Sequence, residues 1–167
     1  MTNARAANRL QITVALALLL FLQFYVRPRL FEGRYAPDFV MIGLVLLALR
    51  SGPGVGALAG FLVGLGSDAL SPARFGAAAL ANTLVGYLAA QTRAFFFADN
   101  ILVNAGFLFG AVWLRDLIVL LASGSGRDGL FATLFLDSPL QALTTAAAGS
   151  VLLVLFGGWF RIRLDQQ

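Results

Sequence analysis

Apolar residues occupy this chain in long blocks separated by short polar breaks. The blocks run over about residues 10–26, 37–49, 55–68, 75–92, 101–122 and 139–160, and the breaks are rich in arginine, proline, glycine and serine. A helix crossing a bilayer core needs about 20 apolar residues. The 17 residues from Leu10 to Val26 rise roughly 25 Å, so their ends fall in the interface. The pattern predicts an all-α membrane protein of six transmembrane helices, forming a single transmembrane domain over residues 1–167.

The breaks refine this picture. The first block follows a polar start with Arg5 and Arg9 and closes at Arg27-Pro28-Arg29. It has the basic start of a signal peptide, but no small-x-small cleavage site follows, so it reads as an uncleaved first helix. Pro37 opens the second block, where its missing N–H does no harm, and Asp38 falls in the first turn, favourably set against the helix dipole. Ser51 to Gly54 makes a tight turn of the kind glycine and proline specify, so the second and third helices pack as an antiparallel hairpin. Arg93 ends the fourth block, and Phe95-Phe96-Phe97 reads as an aromatic interfacial anchor. Leu130 to Leu136 is too short to span and reads as an interfacial segment. Asp137 or Ser138 is then the N-cap of the sixth helix.

Within the third block glycine recurs every fourth residue, at Gly52, Gly56, Gly60 and Gly64, and Asp68 takes the next step. Four residues advance a helix by about 400°, so the row drifts only about 40° per step. It forms a slanted groove almost free of side chains, with a carboxylate at its end. Small-residue rows let helix backbones approach closely in a membrane. The row is therefore a helix-packing groove within the protein or a docking groove for a partner helix.

Composition supports the membrane reading. Hydrophobic residues make up 59% of the chain and charged residues 12%, and the mean hydropathy is +0.84. A soluble protein this short could not hide so much apolar surface. The absence of cysteine excludes disulfides and thiolate metal sites. The absence of histidine removes the commonest general base and metal ligand. A net charge of +4 spread over loops reflects membrane orientation rather than nucleic-acid binding. With both termini inside, the inner segments hold Arg5, Arg9, Arg50, Arg93, Arg161 and Arg163, and the outer loops hold Arg27, Arg29, Arg34, Arg74 and Arg127. That narrow excess favours cytoplasmic termini.

Asp38, Asp68, Arg115 and Asp116 lie in or beside apolar blocks and share one depth zone. Charges there usually pair or line a cavity. The expectation is that Arg115 pairs with Asp38 or Asp68 and locks the bundle. Asp116, about 100° round the helix from Arg115, takes a separate partner or reaches the interface. Asn82, Thr83, Thr144, Thr145 and Ser150 are suited to bonds between helices. Trp113 and Trp159 serve packing or the interface. No GxSxG elbow, P-loop, HExxH or paired-aspartate transferase motif is present, so no catalytic residue, metal or cofactor is predicted.

The order of motifs resembles the MreD family of rod shape-determining proteins. The residues that carry it are Pro37-Asp38 before an apolar run, the Arg50–Gly54 turn, the segment Gly60-Phe61-Leu62-Val63-Gly64-Leu65-Gly66-Ser67-Asp68, then Phe75-Gly76 and Leu84-Val85-Gly86-Tyr87-Leu88. The Ala77-Ala78-Ala79 run departs from the family pattern, which has a larger or more polar residue there. The resemblance implies a non-enzymatic scaffold in the bacterial inner membrane, within the rod or elongasome complex. Its implied partners are a single-pass MreC-like protein and the polymerase RodA with its class B penicillin-binding partner; a lateral surface of the bundle that also meets a second copy of itself, as a homo-oligomer, is a separate expectation. It also implies the six-helix fold of the S components of energy-coupling-factor transporters. The competing expectation is an S-component-like vitamin-binding subunit, which needs a polar cavity under the loop between the fifth and sixth helices.

Overall fold

The computed structural model describes residues 13–29, 35–71, 75–92, 101–122 and 133–160. These residues are helical apart from short connections, with no strand among them. Helix α1 covers 13–29: it is α-helical over 13–21, winds as a π-helix through Leu22–Val26 and tightens to a 3-10 turn at Arg27–Arg29. Then come α2 (Phe39–Arg50), α3 (Pro53–Ala69), α4 (Ala77–Gln91) and α5 (Ile101–Ala122). A π-turn at Thr133–Asp137 runs directly into α6 (Ser138–Phe160).

Helix α2 is the centre of the bundle. Phe39, Met41, Ile42, Leu44, Val45, Leu46, Ala48 and Leu49 are all buried, which covers the whole circumference of the helix. A helix that is apolar all round belongs in a core. Leu19 from α1, Val85 from α4, Leu108 and Val112 from α5, and Ala142 and Ala146 from α6 complete the cluster. Helix α2 is short, and residues from four other helices pack against it.

Helix α3 has the opposite character. Its buried residues are Gly56, Gly60, Gly64 and Asp68, while Val55, Leu58, Phe61 and Leu62 are exposed. The large apolar side chains point outward and the small and polar ones inward. Of the described helices, Ile101–Ala122 is long and apolar enough to cross a membrane by length and composition, and Phe39–Arg50 is apolar but shorter.

Several local expectations change. Pro37 lies outside α2, and Asp38 is its N-cap rather than a first-turn residue, with extended backbone and a side chain that accepts from Met41 N. Only Ser51 and Gly52 separate α2 from α3, because Pro53 already occupies the first helical position. Helix α3 nevertheless packs most extensively on α4 rather than on its hairpin neighbour α2. Neither Asp137 nor Ser138 caps α6, since the π-turn leads into it without a break. Pro139 has no N–H to give to the preceding turn, and in π-helical register its acceptor would be the Leu134 carbonyl. The Trp113 indole N–H donates to that carbonyl instead (3.3 Å). Phe95–Phe97, most of the topology-bearing arginines and residues 130–132 of the 130–136 segment lie outside the described residues.

Candidate functional site

Two constructions carry the polar residues of the bundle. The first is the seam between α3 and α4. A side chain at Gly56 would overlap the Gly86 carbonyl, one at Gly60 the Asn82 carbonyl, and one at Gly64 the Ala78 carbonyl and the Ala79 Cα. In return, a side chain at Gly86 would overlap the Gly56 carbonyl. Ala78, Asn82, Gly86 and Ala90 on α4 therefore form the row that answers Gly56, Gly60 and Gly64, running the other way. Backbone carbonyls set against glycine Cα atoms are the geometry of Cα–H···O contacts, each worth about 0.5–1 kcal/mol. Gly52 does not join the seam. It is exposed, has nothing within 4 Å of a Cβ position and serves as the N-cap of α3.

Asp68 closes this seam. Its Oδ1 accepts from Ala78 N (3.0 Å) and its Oδ2 from Ala79 N (2.8 Å). Those amides belong to the first turn of α4, whose N–H groups have no partner within the helix. Gly76, at the N-cap position, has φ +95° and no side chain to offer. The Asp68 carboxylate thus caps α4 from the end of the preceding helix, and its charge suits the positive end of that helix dipole.

The second construction is the charge network around Arg115. Its guanidinium pairs through Nη1 with Asp38 Oδ2. Its Nε and Nη2 both donate to Asp116 Oδ1, at 2.9 and 2.7 Å. Asp116 Oδ2 accepts from Ser138 Oγ on α6 (2.7 Å). Asp38 Oδ1 accepts from Met41 N (3.0 Å), and the Asp38 amide donates to Thr145 Oγ1 (3.0 Å). Gln23 Oε1 of α1 accepts from Phe39 N (3.0 Å), and Thr144 Oγ1 donates to the Tyr35 carbonyl (2.7 Å). The start of α2 is thereby tied to α1, α5 and α6 at once.

This arrangement divides the four expected charges. Asp38, Arg115 and Asp116 come together, and Asp68 does not: its two oxygens are committed to α4. Asp116 contacts both Arg115 and a separate partner, because a flexible guanidinium can turn back along its own helix. Among the polar residues expected between helices, Thr144 and Thr145 do bridge elements, but Thr83 donates to the Ala79 carbonyl within its own helix (2.6 Å). Asn82 and Ser150 each carry a buried side-chain oxygen without a hydrogen-bond partner among the described residues, as does Asn104. The role of Trp113 at Leu134 and the α4 half of the small-residue seam were missed. The four-residue spacing of Ala78, Asn82, Gly86 and Ala90 was a readable signal for the latter.

Beside the charge network lies a cavity of about 220 Å³, whose polar lining is Gln23, Arg27, Asp38, Ser67, Asn82 and Arg115. It lies among α1 to α5, not under the connection between α5 and α6. Among the described residues there is no group of His, Cys, Asp and Glu placed to hold a metal ion.

The chain was compared with protein families, curated proteins and solved structures. No curated protein and no solved structure matches it. The profile of the family described as rod shape-determining protein MreD matches residues 5–162. With nearly its whole length covered, and with a family concerned with cell shape, the chain belongs to the MreD family of rod shape-determining proteins.

Proposed function

We propose that the protein is a multi-pass scaffold of the bacterial inner membrane, with cytoplasmic termini, that serves peptidoglycan elongation within the rod complex. The family match is the observation that carries this reading. The inside-out character of α3 supports the membrane part: a helix that buries glycine and aspartate and exposes leucine, valine and phenylalanine fits lipid, and is the reverse of a soluble amphipathic helix. Helices α2 and α4, at 12 and 15 residues, are short for a bilayer of about 30 Å. Neighbouring helices enclose the first and the α3–α4 seam braces the second. The family resemblance brings the S-component-like arrangement of six helices into the proposal.

In this reading the bundle presents an apolar lateral surface to the transmembrane helix of an MreC-like partner, and through that partner acts with RodA and its class B penicillin-binding protein. Self-association through the same surface belongs to the proposal. The glycine row is not the docking groove, since α4 fills it. The Arg115 network holds α1, α2, α5 and α6 in register so that the outer surface keeps its shape. No step of this role calls for catalysis. A vitamin-carrier role is less well supported, because the described lining of the cavity includes no aromatic side chain to stack on a ring.

Co-expression with the MreC-like protein of the same organism, with a tag on this chain alone, tests the scaffold. Purification in mild detergent should yield a stoichiometric complex. Elution of this chain without the partner would reject partner binding.

A further inference from the structure

The polar cavity has a lining whose free hydrogen-bonding capacity is mostly donors. Arginine carries five N–H groups and no acceptor. Arg27 makes no side-chain hydrogen bond or ion pair among the described residues, and it lines the same cavity as Asp38. Arg115 commits three of its N–H groups to Asp38 and Asp116, which leaves two. Gln23 uses its carbonyl oxygen on Phe39 N, leaving its amide N–H groups. The one carboxylate among the described lining residues, Asp38, already has both oxygens engaged. Against these donors stands one unanswered acceptor, the buried Oδ1 of Asn82, 4% exposed as a residue. Leaving a buried polar atom unpaired costs about 1–3 kcal/mol, so a group that answers it is favoured.

The position of the cavity says how such a group would arrive. Arg27, Val40 and Val63 are half-buried and Ser67 is exposed, so the mouth lies at the surface between α1 and α3. Asp38 begins α2, while Arg27 and Ser67 lie near the ends of α1 and α3, which sets the mouth at the level of helix ends. Phe24 and Tyr25 on α1 and Leu62 on α3, each within two positions of a lining residue in sequence, are exposed. Gln23 lies in the π-wound part of α1, a local winding often found at functional sites, and Arg27 follows directly in the 3-10 turn that ends the helix. At about 220 Å³ the cavity is far larger than the ~10–15 Å³ a single water requires.

We propose that this cavity binds a phosphate-bearing anion, with Arg27 as its principal charge partner and the free N–H groups of Arg115 and Gln23 as further donors. The lateral mouth favours a membrane lipid as the source, with the phosphodiester in the cavity and the acyl chains on the apolar surface of α1 and α3. A hydroxylated head group also supplies a donor for Asn82 Oδ1. The site is independent of the scaffold role, since neither needs the other.

Native mass spectrometry of the full-length detergent-purified protein tests it, with dioleoyl-phosphatidylglycerol titrated against dioleoyl-phosphatidylcholine and inorganic phosphate run as a separate arm. Phosphatidylglycerol should bind more tightly than phosphatidylcholine. Arg27→Gln should weaken it roughly tenfold, the scale of one lost charge-assisted hydrogen bond. Val63→Phe should weaken it as strongly with every charge kept, because the ring enters the cavity from its rim. Arg50→Gln, at the far end of α2, should leave binding unchanged. Binding of inorganic phosphate that depends on Arg27, without preference for the anionic lipid, would keep the anion site and assign it to a free solute. Equal binding of both lipids with no phosphate binding, or equal effects of Arg27→Gln and Arg50→Gln, would overturn the proposal. Thermal melts report whether Val63→Phe still folds, and Arg27→Gln decides the matter if it does not. Retention of an MreC-like partner is a separate readout, so failure here is distinguishable from failure of the scaffold.

Discussion

Arg115, in the second half of α5, closes an ion pair with Asp38, the residue that caps α2, across 77 positions of sequence. The same guanidinium turns back to Asp116, which holds Ser138 at the start of α6. A single side chain therefore fixes where three helices begin or pass. Arg115→Leu would leave two carboxylates without their counter-charge, one of them buried. Removing one partner of a buried pair costs about 3–5 kcal/mol, and a loss of that order is expected in detergent melts. Asp38→Asn should be far milder, because an asparagine oxygen still accepts from Met41 N and Arg115 keeps Asp116. Arg115→Lys should fall between them, since a point charge cannot serve Asp38 and Asp116 in a fork.

The glycine seam predicts a graded alanine series. At Gly60 a methyl group meets the Asn82 carbonyl and the Thr83 Cα, all backbone, with nothing flexible to move aside. The two helices must separate, and a loss of at least about 2 kcal/mol is expected. Gly56→Ala and Gly64→Ala should behave alike. Gly66→Ala, inside the helix, meets nothing within 4 Å and should leave the melting temperature unchanged or raise it slightly, whereas Gly52→Ala, equally free of clash, should cost about a few tenths of a kcal/mol because alanine is a poorer N-cap than glycine. A flat series, with Gly60 no worse than Gly66, would reject the seam.

What was readable beforehand follows from period and spacing. The six apolar blocks correspond to the helices within a few residues, because block length and glycine–proline breaks are local properties. The i, i+4 glycine row identified the packing face of α3 but not its partner, since one row does not say which neighbour it meets. Arg115 was expected to meet Asp38 or Asp68, and the choice depended on helix rotation, which a four-residue charge inventory does not contain. Asp68 went to α4 because the first turn of that helix begins at a left-handed Gly76 with no capping side chain. The Ala77–Ala79 run has a physical place: Ala78 and Ala79 are the backbone on which Gly64 sits. The π-turns were not legible, because the apolar period does not distinguish a π-turn from an α-turn, and the Trp113 contact to Leu134 spans 21 positions.

Asp68→Ala removes the acceptor for two first-turn amides of α4. A lost N-cap typically costs about 0.5–2 kcal/mol, and two bonds place this case at the upper end. Asp68→Asn keeps one carbonyl oxygen and should lose less. Hydrogen exchange at Ala78 and Ala79 reads the effect directly: both amides should exchange faster in Asp68→Ala, with the α5 amides unchanged. Equal acceleration in both helices would mean a general loss of stability and would count against capping.

The Trp113–Leu134 bond is open to a double-mutant cycle. If the indole N–H supplies the donor that Pro139 lacks, Trp113→Phe should destabilise the wild type by about 1 kcal/mol, the net worth of a hydrogen bond, beyond the loss of ring area. In a Pro139→Ala background, residue 139 regains an N–H and can serve the preceding turn itself. Trp113→Phe should then cost less, because only ring packing is lost. A coupling energy of about 0.5 kcal/mol or more between the two positions would be measurable from detergent melts of the four proteins. Strict additivity would show that the indole contributes packing alone and that the π-turn before α6 stands without it.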